Sequence, residues 1–211
     1  MKRFIVLAAC ALFAACGTKE PKPAASKAAA PATAPDSFQV QFQTSAGAFT
    51  VQVNRALAPI GVDRFYKLVT SGYFNDERFF RVVPGFVVQF GMNGDPKLND
   101  RWQKDTIPDE PVKEPNARGT IVFANRGPNT RANQLFINLG DNPNLDKMGF
   151  APFGRVISGM NVVDAIYSGY GQMPDQSMIA AEGNKYLERA FPNLDYIKSA
   201  TLVSGDSAKT P

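Results

Sequence analysis

Histidine is absent from the 211-residue chain. That excludes Ser-His-Asp and Cys-His hydrolases and every His-ligated zinc site. Cysteine occurs only at Cys10 and Cys16, so residues 17–211 hold no thiol and no disulfide. No phosphate-binding P-loop, GxGxxG fingerprint or nucleophile elbow occurs. An excess of one charge is also missing from most of the chain. Five of the 23 Lys/Arg and one of the 19 Asp/Glu lie in residues 1–35, leaving 18 of each for residues 36–211. A nucleic-acid binder concentrates basic charge on its binding face, so no nucleic-acid partner is expected. Adjacent carboxylates such as Asp109-Glu110 have no second partner pattern. They read as a solvated loop rather than as a general acid–base pair. No catalytic metal or cofactor is implied. What is present is apolar: 16 Phe and 44% hydrophobic residues, enough for a core and incompatible with a wholly disordered or collagenous chain.

The first residues read as an address. Met1-Lys2-Arg3 is positive, and Phe4 to Ala15 is an apolar run too short for a membrane span of about 20 residues. These are signal-peptide proportions. Ala14-Ala15-Cys16-Gly17 resembles a lipoprotein signal, in which the cysteine is acylated and becomes the new N-terminus; Phe13 stands where Leu is usual. An ordinary secretory signal is the alternative, and either way the chain is exported. Residues 1–16 are taken as the signal with Cys16 as lipidation site. Residues 17–36, rich in Ala, Pro and Lys, form a tether without large apolar side chains. Residues 37–205 form the domain and 206–211 a tail. The expected location is the cell envelope, facing the periplasm, with Gly17 compatible with the outer membrane. Contact with the membrane runs through the lipid anchor only, and the domain is expected to be monomeric.

Within the domain, residues 38–43 and 49–54 alternate apolar and polar side chains about Ser45-Ala46-Gly47, which predicts a hairpin with one apolar face. Val62, Phe65, Tyr66 and Val69 have helical spacing after Pro59, and Gly72 stops the helix. Further strands are predicted at 79–83, 86–90, 120–124, 134–139, 153–157 and 196–203. A second helix is predicted at 160–167. Residues 178–191 also have helical character, with Leu187 and Phe191 inward, and are assigned no activity. Many short strands with two clear helices predict a mainly β fold, a closed antiparallel barrel capped by two α-helices.

Two segments carry polar groups in apolar surroundings. Phe79-Phe80-Arg81-Val82-Val83-Pro84-Gly85-Phe86-Val87-Val88-Gln89-Phe90-Gly91 places one Arg and one Gln among phenylalanines and valines. Such an arginine is either paired or exposed on a barrel wall. Residues 119–137 contain Asn125, Asn133 and Gln134 around a Gly-Pro-Asn-Thr turn. Amides beside aromatics suit a peptide backbone with a hydrophobic seat for one side chain.

These segments resemble the F-x-R-x-x-P-G-F-x-x-Q-x-G and A-N-x-G-P-N-T-x-x-x-Q-F-F-I signatures of the cyclophilin family of peptidyl-prolyl isomerases. Leu145-Asp146 and Phe153-Gly154-Arg155-Val156 resemble its later L-D…F-G-x-V segment. Order and spacing hold over roughly residues 38–205. The resemblance implies an eight-stranded barrel and isomerisation of X-Pro bonds in unfolded or partly folded exported polypeptides, assisting their folding. It implies Arg81 as catalytic residue and Gln89 as its positioning partner. Phe86, Phe136 and Leu145 would form the floor and walls of a proline pocket. Ala124 and Asn125 would bind substrate backbone, and Gln134 would support the site. Val87 stands where Met is common, Asn144 where many members carry Trp, and Phe150 near the usual pocket His. A proline-peptide binding module or holdase with little turnover is the alternative reading, and a purely structural envelope lipoprotein a remoter one.

Overall fold

The computed structural model describes residues 33–203. The signal, Cys16, residues 17–32 of the tether and the tail lie outside the described residues. The first hairpin is built from β1 (Ser37–Thr44) and β2 (Ala48–Asn54), with Val40 opposite Val51 and Phe42 opposite Phe49. Those four side chains are buried while their neighbours Gln41 and Gln52 are not, the alternation expected when one sheet face is covered. Phe42 and Phe49 stack at 4.8 Å.

Helix α1 (Pro59–Thr70) follows, with Pro in its first turn and Gly72 at φ +74° beyond its end. Val62, Phe65, Leu68 and Val69 line its buried face. Its first-turn amides are capped from a distance: Ile60 N–H and Gly61 N–H donate to the two Glu110 oxygens at 2.7 and 2.9 Å. Glu110 is therefore not the solvated loop carboxylate that its neighbourhood in sequence suggests. It is buried and paired with the buried Arg131 at 3.0 Å. Two orphan helix amides and one guanidinium recover the cost of its burial.

The remaining strands are β3 (Glu77–Arg78), β4 (Arg81–Val83), β5 (Val87–Phe90), β6 (Thr120–Phe123), β7 (Leu135–Asn138), β8 (Pro152–Ser158) and β9 (Tyr196–Leu202). They form one antiparallel sheet in the order β3-β9-β1-β2-β8-β6-β7-β5-β4. The fold is mainly β, a curled antiparallel sheet with helices, as expected. It differs in two details. The sheet has nine strands, and the barrel is not sealed by a ladder. Its edge strands β3 and β4 are separated by Phe79 and Phe80 alone, so the chain itself crosses the seam. The two rings diverge there: Phe79 packs into the main core and Phe80 into a smaller one. That divergence breaks the strand predicted at 79–83.

Six helices occur among the described residues rather than two. Besides α1 there are α2 (Pro96–Lys104), α3 (Pro143–Lys147), α4 (Met160–Ala165), α5 (Gln176–Glu182) and α6 (Asn184–Ala190). The region read as one helix at 178–191 is two, because Gly183 sits at φ +60° against the Gly94 carbonyl, where any Cβ would collide. Ile179 of α5 and Leu187 of α6, with Phe191, pack on Phe80 and Met92 to form the smaller core. The main core lies inside the curled sheet, where Phe42, Phe65, Phe74, Phe90, Phe123 and Phe153 meet.

Candidate active site

Strand periodicity sorts β4, β5, β6 and β7 into two faces. Val82, Val88, Phe90, Ile121, Phe123, Leu135 and Ile137 point into the main core. With a period of two, Arg81, Val87, Gln89, Val122 and Phe136 are left on the opposite, outer face. Register then lines them up: Arg81 pairs with Gln89, Gln89 with Phe136, and Phe136 with Val122. One row across four strands thus runs from a cation, through an amide, to an apolar patch.

The patch is a separate cluster. Val87, Val122, Phe136 and Leu145 are buried in it, and Phe86, Ala124 and Phe150 pack against it. Phe136 and Phe150 meet edge to face at 5.6 Å. The Phe150 loop is pinned from behind by Asn116, whose Nδ2 donates to the Phe150 carbonyl at 2.8 Å and to Asp146 at 2.7 Å. Above this patch lies a cleft of about 570 Å³. Arg81, Phe86, Val87, Gln89, Ala124, Asn125, Gln134, Phe136, Leu145 and Phe150 all line it. The structure therefore brings together every site residue inferred for the domain; Cys16 lies outside the described residues.

The Arg81 guanidinium is held by neutral groups. Its Nη1 donates to Gln89 Oε1 at 3.1 Å and its Nε to Gln172 Oε1 at 3.3 Å. Its carbon stands 5.7 Å from the Phe86 ring centre, within cation–π range. Among the described residues no carboxylate forms an ion pair with Arg81. Gln89, buried, passes the chain on: its Nε2 donates to Gln134 Oε1 at 2.9 Å.

The far wall is the 124–134 loop. Asn129, at φ +58°, exchanges hydrogen bonds with Asp109 in both directions, at 2.8 and 2.9 Å. Thr130 Oγ1 accepts from Arg126 N–H at 2.8 Å and donates to the Gly127 carbonyl at 2.7 Å. The turn is thus closed internally and anchored externally, which leaves Asn125 at the cleft. Behind it the buried Tyr73 hydroxyl accepts from Asn133 Nδ2 at 2.6 Å, and burial, then the nearby Glu77, pushes that phenol well above its ordinary value. Gly91 sits at φ +105°, packed on the Asn133 carbonyl so closely that a Cβ has no room. That approach holds the end of β5 against the Gln134 segment.

Asn144 does not line the cleft; it is exposed on α3. Met148, 65% exposed, lines that rim instead. Sequence reasoning also missed Gln103 of α2, Gln172 in the loop before α5, and Gln176 at the start of α5. Gln103 and Gln176 line the cleft, and Gln172 reaches Arg81. None stands in an apolar period or a motif, and only the tertiary fold carries them to the site.

Residues 39–182 match the family described as cyclophilin type peptidyl-prolyl cis-trans isomerase/CLD. The chain is 40% identical over 141 residues to peptidyl-prolyl cis-trans isomerase A of Dickeya dadantii, covering 62% of this chain and 71% of that protein. It is 37% identical over 130 residues to peptidyl-prolyl cis-trans isomerase-like 1 of Aspergillus niger, covering 59% of this chain and 78% of that protein. A crystal structure of a cyclophilin type peptidyl-prolyl cis-trans isomerase of Cryptosporidium parvum superposes with a TM-score of 0.61 at 21% identity, over 80% of this chain and 99% of that one. The same protein in the presence of the dipeptide Ala-Pro gives 0.58 at 22% identity, over 79% and 99%. At these identities the structures establish a shared fold.

Proposed function

The chain belongs to the cyclophilin-type family of peptidyl-prolyl cis-trans isomerases, and on that premise we propose that the Arg81 cleft isomerises X-Pro bonds of exported polypeptides in the cell envelope. The observation that carries this reading is the cross-strand row in which a guanidinium, an amide and an apolar seat stand side by side. A proline ring suits the seat formed by Phe86, Phe136, Leu145 and Phe150. Asn125 and the Ala124 backbone border the cleft where the flanking peptide would run. The Ala-Pro dipeptide present with the Cryptosporidium parvum relative is a peptide of this chemistry.

Rotation about a peptide bond costs about 18–20 kcal/mol because amide resonance is lost at the twisted geometry. X-Pro bonds populate both isomers yet exchange over roughly tens to hundreds of seconds. At the twisted state the prolyl nitrogen becomes pyramidal and regains a lone pair. An Arg81 N–H donates to that lone pair, which the planar ground states do not offer. The contact is stronger in the transition state than in either ground state, and that difference is what accelerates the reaction. Apolar walls raise its strength by excluding water. The step needs no nucleophile and no general base, which accords with a domain free of His and Cys.

The location is inferred from residues 1–17, whose charge, apolar run and Ala-Ala-Cys-Gly end support export and acylation at Cys16. For the site, the test is the cis-to-trans rate of an X-Pro tetrapeptide with the full-length chain and with Arg81→Ala. The expected loss in kcat/KM is about 100-fold, with the circular dichroism spectrum unchanged. Peptide binding without acceleration by the wild type would replace this reading with that of a proline-peptide binding module.

A further inference from the structure

The segment after α4 makes four contacts with the Arg81 machinery. Gln172 Oε1 accepts from Arg81 Nε at 3.3 Å, and Gln176 Oε1 accepts from Gln134 Nε2 at 3.3 Å. The Gly171 carbonyl accepts from the amide of Val82, the residue after Arg81, at 2.8 Å. Phe80, the residue before Arg81, is buried against Ile179 and Leu187 of α5 and α6.

The side-chain bonds form one directed chain. A guanidinium only donates, and each Gln both accepts and donates. Arg81 therefore turns the Gln89 oxygen toward itself, which aims the Gln89 nitrogen at Gln134, whose nitrogen then aims at Gln176. Gln172 receives the other end of the guanidinium. Both terminal acceptors come from the five residues 172–176, so the chain of bonds closes into a ring through the backbone. That stretch is stiffened by the buried Pro174 and by Asp175, whose carboxylate accepts from Ser177 N–H at 2.7 Å.

We propose that Gln172 and Gln176 are positioning residues for the isomerisation: they fix the guanidinium plane of Arg81 and the amide of Gln134, so that an Arg81 N–H faces the prolyl nitrogen only at the twisted geometry. This rests on Arg81 being the catalytic residue. The α5–α6 segment is then part of the catalytic apparatus rather than an inert extension. With Nε engaged and Nη1 on Gln89, the guanidinium is held at both ends, and its rotation about the last side-chain bonds is blocked. Substrate affinity, set by the apolar seat, is a separate matter, so the two residues act on turnover.

The test uses the full-length chain with Gln172→Leu, Gln172→Glu, Gln176→Leu and Arg81→Ala. Gln172 is exposed, so its substitution leaves the core intact; thermal melting checks this for each variant. Gln172→Leu removes the acceptor at similar size, whereas Gln172→Glu keeps it. Expected is a three- to tenfold fall in kcat for Gln172→Leu and Gln176→Leu (roughly the net loss of one ordinary hydrogen bond, both contacts being long at 3.3 Å), with KM within about twofold. Gln172→Glu should stay within about twofold of wild type in both. Leu variants with wild-type kcat, or equal losses in Gln172→Leu and Gln172→Glu, overturn the proposal while an inactive Arg81→Ala leaves the site assignment standing. An Arg81→Ala chain as active as wild type removes the assignment and the proposal with it.

Discussion

Arg81 is a cation bound by amides. One amide orients the guanidinium through Nη1 and a second through Nε, and its remaining N–H groups are left for a weak, transient acceptor. The opposite situation holds at Glu77 on β3, which is fully buried with neither carboxyl oxygen in a hydrogen bond of good geometry. Burial pushes this carboxyl well above its ordinary value of 4.5, with the Gly91 backbone N–H opposing the shift. The folded state thus holds a proton that the unfolded state releases. Its contribution to stability is complete below pH 4.5 and declines as pH rises toward the folded-state value. Glu77→Gln cannot ionise, so between about pH 5 and about pH 8 it should lose less stability than wild type, read from denaturant midpoints. A wild-type curve parallel to the variant's would show that Glu77 does not titrate in this way. At this scale the motif residues were legible in the sequence, because Arg81, Gln89 and Asn125 are polar where their strands are apolar. Glu77 was not, since nothing in Asp76-Glu77-Arg78 distinguishes a buried carboxylate from an exposed one.

Elements carry the next level of reasoning. Helix α1 begins on Glu110, and Glu110 holds Arg131, so a loop carboxylate joins the first helix to the strand-flanking loop that walls the cleft. Glu110→Ala should cost about 3 kcal/mol in a denaturation experiment, because it removes the nearest carboxylate from a buried guanidinium and the acceptor of two helix amides together. Glu110→Gln should cost less, since it still accepts from those amides. Equal and small losses for both would mean that the pair contributes little. The β1–β2 hairpin and α1 were legible because apolar periods of two and 3.6 are distinctive. Helix α2 was not, since Asn99 is its one buried residue and no apolar stripe marks it. Helix α3, five residues long, has too few turns for a period. The split of α5 from α6 depends on Gly183 meeting Gly94, a contact between residues that no local pattern relates.

The sequence divides by charge into a basic N-terminal stretch and a neutral remainder, since the net +4 resides in residues 1–35. Attachment to a membrane should therefore depend on Cys16 and not on the domain's surface. Cys16→Ser, or removal of residues 1–36, should release the chain into the soluble fraction at any salt concentration, and retention on membranes would argue for a different anchor. The barrel character was legible from the number of short strands; the seam was not, because Phe79-Phe80 reads as strand until its two rings are seen to enter different cores. The strand order has a further meaning in time. Strand β9 follows every other strand in the chain, yet it stands between β3 and β1 in the sheet. During synthesis, β1 and β3 wait with open edges until residues 196–202 have been made. A domain that cannot close before its last strand arrives stays open throughout synthesis, and the delay is a timer written into topology.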